Sequence, residues 1–126
     1  VNPDSDLFRA HADWALQLEG RPHMTGRNQL VLDLSRREVA DYLFTCVNEL
    51  LSSLPISYLK WDHNRDLTSA GDAEGRAAYR RQVRAAYNLM ERLHSAHPAV
   101  EIEACAGGGG RSDAGILAHT HRIWAS

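Results

Sequence analysis

Cysteine is scarce in this 126-residue chain, where Cys46 and Cys105 are the only two. Two thiols that far apart make neither a disulfide framework nor a CxxC metal knuckle, so both are expected to be reduced, in a cytoplasmic setting. An excess of either charge is missing as well. Lys and Arg number 14 against 16 Asp and Glu, a net charge of -2, so nothing global favours nucleic acid or an anionic membrane surface. No apolar run reaches the roughly 18 residues that a membrane span requires, and no basic-then-apolar leader opens the chain. Internal repeats are absent, and the one low-complexity tract is Gly107 to Gly110. What remains is a globular composition, 44% hydrophobic and 24% charged, long enough for one domain with a core. The chain begins with Val1 rather than Met and is expected to be an excerpt of a longer protein.

The order of elements follows from apolar spacing. Residues 1–26 mix Asn2-Pro3-Asp4, Gly20, Pro22 and Gly26 with isolated apolar residues and read as a long loop holding one helical turn. Ser35 followed by Glu38 has the pattern of a capping box, after which Val39, Leu43, Val47, Leu50 and Leu54 recur at helical spacing up to Pro55. Ile56 to Asp62 is short, apolar and aromatic, which predicts a strand buried on both sides. A second helix is predicted from Asp72 to about Ala96, with Tyr79, Val83, Ala86, Met90 and Leu93 on its apolar face and Pro98 beyond its end. Val100 to Cys105 predicts a strand, Gly107 to Gly110 a turn, Ala114 to His119 a short helix and Arg122 to Ser126 a third strand. Strands alternating with helices imply βαβ crossovers and a parallel sheet, hence an α/β fold, open or closed into a barrel.

Polar residues follow both apolar strands. "LKWDHNR" and "EIEACAGGGGRSD" place them at the carboxyl ends, where α/β folds carry their sites. Within "YLKWDHNRDL", Lys60, Asp62 and Asn64 alternate, so in extended backbone a cation, a carboxylate and an amide share one face, with Trp61 and His63 on the other. On spacing alone, Lys60 and Asp62 are as readily a strand-end ion pair as a catalytic pair. The glycine run lacks the GxGxxG and GxxxxGK[ST] spacings, which argues against a nucleotide cradle. Glycines that admit a ligand close to the backbone suit its position.

Four separated stretches, "GRNQLVLDLS", "YLKWDHNRDL", "CAGGGGRSDAGIL" and "IWAS", resemble the bacterial α-galactosidases of glycoside hydrolase family 36 in order and spacing, and "VNPDSDLFRAHADW" extends the likeness to the start of the chain. The resemblance implies a (β/α)8 TIM barrel, of which residues 1–126 would be the central part, from the loop after strand 3 through strand 6. It implies a retaining hydrolase of terminal α-galactosides such as melibiose and raffinose, with Asp62 as nucleophile in the K-W-D-x-N-R motif. It also assigns the sugar contacts to Arg27, Lys60, Asn64, Cys105, Gly107, Gly108 and Trp124. The partner is then a small oligosaccharide, with no cofactor, no metal, no nucleic acid and no membrane, and a homo-oligomeric parent is left open. The family's general acid/base is an aspartate in an I-W-[ST]-S-D motif, expected just after Ser126, so the excerpt alone is expected to be inactive. A raffinose-synthase-type galactosyl transferase, an α-N-acetylgalactosaminidase and a non-catalytic sugar-binding module are the alternatives.

Several of these residues have plainer readings. A lone Cys105 is more often a small buried residue, Arg27 a polar loop residue beside Gly26, and Trp124 either a sugar platform or barrel filling. His63, at a position often Met in the family, reads as packing. Asp113 reads as the cap of the following helix, and Asp66 is discounted as the acid along with it. His119 and His121 lack a third ligand at zinc spacing.

Overall fold

The computed structural model describes residues 1–68, 70–71, 75–107 and 110–125. Its elements run α1 (Asp6–Ala10), a 3-10 turn (Ala12–Trp14), α2 (Arg37–Ser53), β1 (Tyr58–Asp62), α3 (Tyr79–Ala96), β2 (Glu101–Cys105), α4 (Ala114–Leu117) and β3 (Arg122–Ile123). The three strands form one sheet in the order β1-β2-β3, and both pairings are parallel. Parallel neighbours need a crossover between them, and α3 and α4 occupy the two connections. This is the α/β arrangement that the sequence implies.

Two compact units make up the chain. One comprises Val1–Val39 with Arg65–Ala85, the other Ala40–Asn64 with Ala86–Ser126. The second unit holds the sheet. Strand periodicity sends Leu59, Trp61, Ile102, Ala104 and Ile123 to one face, where Met90, Ala104 and Ile116 form the buried centre and Trp61, Tyr87 and Ile123 pack around it. Leu89, Met90 and Leu93 of α3 are almost wholly buried, and each such side chain contributes about 1.5–3 kcal/mol through the apolar area it removes from water. Arg80, Arg81, Arg84 and Arg92 of the same helix are exposed.

In the first unit the buried amide of Gln82 holds the segment before α2. Its Nε2 donates to the Leu32 carbonyl at 2.9 Å and its Oε1 accepts the Leu34 N–H at 2.8 Å. Both polar ends of a buried side chain are thereby satisfied, which removes the cost of desolvating them. The segment 26–29 turns tightly: the Gly26 N–H donates to Gln29 O at 3.2 Å and the Gln29 N–H returns to Gly26 O at 3.0 Å.

The structure corrects four expectations. β1 is buried on one side only, with Tyr58, Lys60 and Asp62 exposed and Leu59 and Trp61 half-buried, because its other face carries the polar residues. The second long helix begins at Tyr79 rather than Asp72, which lies outside the described residues. A Gly71–Ala77 bridge and the left-handed Gly75 (φ 73°) occupy the preceding stretch, and Tyr79 is exposed. Ser35 and Glu38 do not close a capping box: the Ser35 hydroxyl and N–H both donate to Asp33 Oδ1, at 2.6 and 3.0 Å, and the Glu38 carboxylate takes the Arg36 guanidinium at 2.7 Å. Asp33 is buried and nearer, so it captures the donor that Glu38 would have received. Leu50 and Leu54 at the end of the α2 pattern are exposed. No helix among the described residues is long and apolar enough to cross a membrane.

Candidate active site

Register places the polar residues of three strands on one surface. Lys60 pairs with Glu103 and Asp62 with Cys105 across β1 and β2, and Glu103 pairs with Arg122 across β2 and β3. In-register residues of a parallel sheet project to the same side, so these side chains form layers on the face opposite the apolar core. Lys60 Nζ lies 4.0 Å from the Trp124 ring centroid and 3.9 Å from Glu103 Oε1. Glu103 is 6% exposed, so Lys60 supplies the positive charge that a buried carboxylate requires. Trp124 remains 46% exposed, and its backbone N–H donates to Ala104 O at 2.9 Å, which carries the β3 direction one residue past Ile123. Below this layer Arg122 forms an ion pair with Glu101.

The rim lies where the ladder stops, at Asp62 and Cys105. Asp62 is exposed and Cys105 is buried beside it. Beyond them the His63 N–H donates to Cys105 O at 2.9 Å, and Asn64 Oδ1 accepts the Gly107 N–H at 3.1 Å. Gly107 sits at φ 55°, the left-handed region that a side chain disfavours, so the turn needs glycine there. Arg111, which sequence reasoning did not single out, reaches back under this turn: its Nη2 donates to Trp61 O at 3.1 Å and to Cys105 O at 3.0 Å. Burial pulls the Arg111 guanidinium below its ordinary range, and Tyr87, Cys105, Asp62 and Asp113 pull it back up. Its one sequence signal is its place directly after the glycine run.

Asp113 is a cap, as expected. Its Oδ1 accepts the Ile116 N–H of α4 at 2.9 Å, and the Tyr87 hydroxyl lies 2.7 and 2.6 Å from its two oxygens, one hydrogen shared between them. The Tyr87 hydroxyl, then the Ile116 N–H, hold the Asp113 carboxyl below the usual carboxylate range. Burial first and Asp113 second push the Tyr87 phenol up to about 12. A carboxylate so engaged is a poor proton donor.

The remaining residues fall as follows. Lys60, Asp62, Cys105 and Trp124 share one face and Asn64 meets Gly107 at its rim. Gly108 lies outside the described residues. Arg27 belongs to the other unit, exposed at the tip of the 26–29 hairpin, with φ of 53° for Arg27 and 56° for Asn28. Two successive left-handed residues make a type I′ turn, in which an arginine is strained. His119 Nδ1 pairs with Glu91 at 2.9 Å and His121 Nδ1 accepts the Ile102 N–H at 3.0 Å. Among the described residues no group of three His, Cys, Asp or Glu could hold a metal ion.

Residues 1–126 match the family described as Melibiase. The chain belongs to the melibiase family. An α-galactosidase of Escherichia coli is 50% identical over 126 residues, covering 100% of this chain and 18% of that protein. The bifunctional α-galactosidase/sucrose kinase AgaSK of Mediterraneibacter gnavus is 44% identical, again over 100% of this chain and over 13% of its own length. In solved structures, the melibiase chain superposes on the GH36 α-galactosidase AgaA of Geobacillus stearothermophilus with a TM-score of 0.94 at 41% identity, covering 100% of this chain and 18% of that one. The likeness to glycoside hydrolase family 36 read from the sequence is therefore borne out. AgaA variants are known in complex with stachyose and with raffinose. This chain thus spans 18% of the length of the Escherichia coli and Geobacillus stearothermophilus relatives.

Proposed function

We propose that this chain is the central part of a (β/α)8 catalytic barrel, from the loop after strand 3 through strand 6, in a longer cytoplasmic α-galactosidase that acts with retention on oligosaccharides such as melibiose and raffinose. The observation that carries the reading is the exposed Asp62 carboxylate at the carboxyl end of a parallel strand, on the same face as Lys60, Cys105 and the Trp124 ring. Catalytic groups of α/β barrels stand at that end.

In this reading the Asp62 carboxylate attacks the anomeric carbon of galactose as the bond to the leaving oxygen breaks, and a second carboxylic acid protonates that oxygen. The resulting galactosyl ester is cleaved by water, which gives its proton to the second carboxylate. Two inversions leave the configuration unchanged. Lys60 favours the ionised nucleophile and donates to sugar hydroxyls, Trp124 presents a ring face, and Cys105, Gly107 and Gly108 let the sugar approach the backbone. Asn64 fixes that backbone and Arg27 adds a cationic contact. The second carboxylate is assigned to the aspartate that the family's I-W-[ST]-S-D motif places after Ser126, since Asp113 is committed to Tyr87 and α4.

The test is the anomer released first. The full-length protein supplied with melibiose should liberate α-galactose before mutarotation, followed by NMR. Initial β-galactose, or no turnover of any α-galactoside, would contradict the reading.

A further inference from the structure

We infer that Arg111 is a positioning residue for the nucleophile, tying the Trp61–Asp62 peptide to the start of the glycine turn. The inference rests on reading Asp62 as the nucleophile. The ladder between β1 and β2 ends with the Asp62–Cys105 pair, so beyond it no regular strand pairing fixes the spacing of Asp62 from the turn that contains Gly107. Arg111 takes over there. One nitrogen, with two hydrogens, donates one to the carbonyl immediately before Asp62 and the other to the carbonyl of Cys105, at 3.1 and 3.0 Å. Cys105 O also receives the His63 N–H at 2.9 Å, so both of its lone pairs are used and the two strand ends are clasped from two sides.

The choice of arginine is costly unless it does something. Its guanidinium is largely desolvated, and its Nε is buried with no hydrogen-bond partner among the described residues. Two carbonyl bonds alone do not call for a permanent cation, because a neutral amide donates as well. The groups facing it explain the charge. Asp62 approaches from the end of β1, Cys105 from β2, Tyr87 from α3 and Asp113 from the start of α4, all of them neutral or anionic. Arg111 therefore acts on Asp62 twice, through the backbone that carries it and through a positive charge that favours its carboxylate. Lys60, on the same strand face as Asp62, is engaged with Glu103 and the Trp124 ring, and Arg111 interacts electrostatically with Asp62 from the turn after β2. A lysine at 111 would keep the charge but lose the rigid planar fork.

Kinetics of Arg111→Lys and Arg111→Ala in the full-length protein, with Asp62→Asn measured in parallel on an aryl α-galactoside, test this. Arg111→Ala should lower kcat by about 100-fold, the order expected for a misplacement of about 1 Å, with a much smaller change in KM. It should also raise the acid limb of the pH-rate profile, and added guanidinium ion should restore part of kcat. Arg111→Lys should lose kcat while keeping the acid limb in place. The inference is overturned if Arg111→Lys and Arg111→Ala both stay within about threefold of the parent kcat, or if lost activity comes with an unmoved acid limb in Arg111→Ala and no response to guanidinium. Should Arg111→Ala not fold, Arg111→Lys decides: a parental kcat overturns the inference, and a reduced kcat with a fixed acid limb supports it. Retained activity in Asp62→Asn would instead remove the nucleophile reading on which the inference stands.

Discussion

Asn64 Oδ1 accepts the Gly107 backbone N–H at 3.1 Å, joining the loop after β1 to the turn after β2 across 43 residues of sequence. The amide belongs to the motif of the proposed nucleophile, and the N–H belongs to the turn proposed to admit galactose. Asn64→Ala in the full-length protein should therefore cost more in activity than in stability. The exposed bond is worth about 1 kcal/mol, because water replaces the lost acceptor, whereas a turn displaced by about 1 Å lowers kcat/KM by up to roughly 100-fold. Steady-state kinetics beside a thermal melt check it. Parental kinetics would show that the tie is structural only.

Lys60→Met should raise the acid limb of the pH-rate profile. A positive neighbour favours the ionised carboxylate, so its removal lets Asp62 protonate at higher pH. The same substitution deprives buried Glu103 of its cation, 3.9 Å away. Lys60→Met with Glu103→Gln should recover stability without returning the acid limb, which separates the two effects. An unchanged acid limb in both variants would confine Lys60 to a structural role.

Arg27→Asn should stabilise the fold and impair activity together. Arg27 stands at φ 53° in a two-residue type I′ turn, and the left-handed region costs an ordinary residue about 1–2 kcal/mol, while asparagine adopts it readily. A melting temperature raised by a few degrees with kcat/KM lowered about tenfold or more is the expected pair of results. Unchanged kinetics would remove Arg27 from the sugar contacts.

Asp113→Ala should destabilise the protein by about 1 kcal/mol at neutral pH through the lost cap. The folded carboxyl is held below its ordinary range by Tyr87 and the Ile116 N–H, so its contribution is present above about pH 4 and fades as pH falls through the lowered value. Urea unfolding of variant and parent should thus differ at pH 7 and converge under acid conditions. A difference that grows on acidification would contradict the assignment.

The fold was legible where side-chain spacing decides it. Leu59 and Trp61, and Ile102 and Ala104, alternate as strand residues must, while Met90 and Leu93 recur as a helix face does. The start of α3 was not, because Tyr79 fits the apolar stripe by spacing yet follows a bridged loop with a left-handed Gly75. Ser35 and Glu38 have the right offset for a cap, and only the third dimension brings the buried Asp33 oxygen nearer to the serine. The candidate site rests on motif resemblance more than on chemistry, since Cys105 and Gly107 have no reactive signature of their own. Arg111 escaped because its partners are backbone carbonyls 50 and 6 residues away, which no side-chain pattern records.

The central claim is that Asp62 forms a covalent bond to galactose. A mechanism-based 2-fluoro-galactosyl inactivator, digestion and peptide mass spectrometry of the full-length protein test it most directly. The account predicts one 2-deoxy-2-fluorogalactosyl increment on the peptide carrying Asp62 and no labelling in Asp62→Asn, with hydrolysis lowered by several orders of magnitude. A label on another carboxylate, or an Asp62→Asn variant within about tenfold of parental activity, would contradict it.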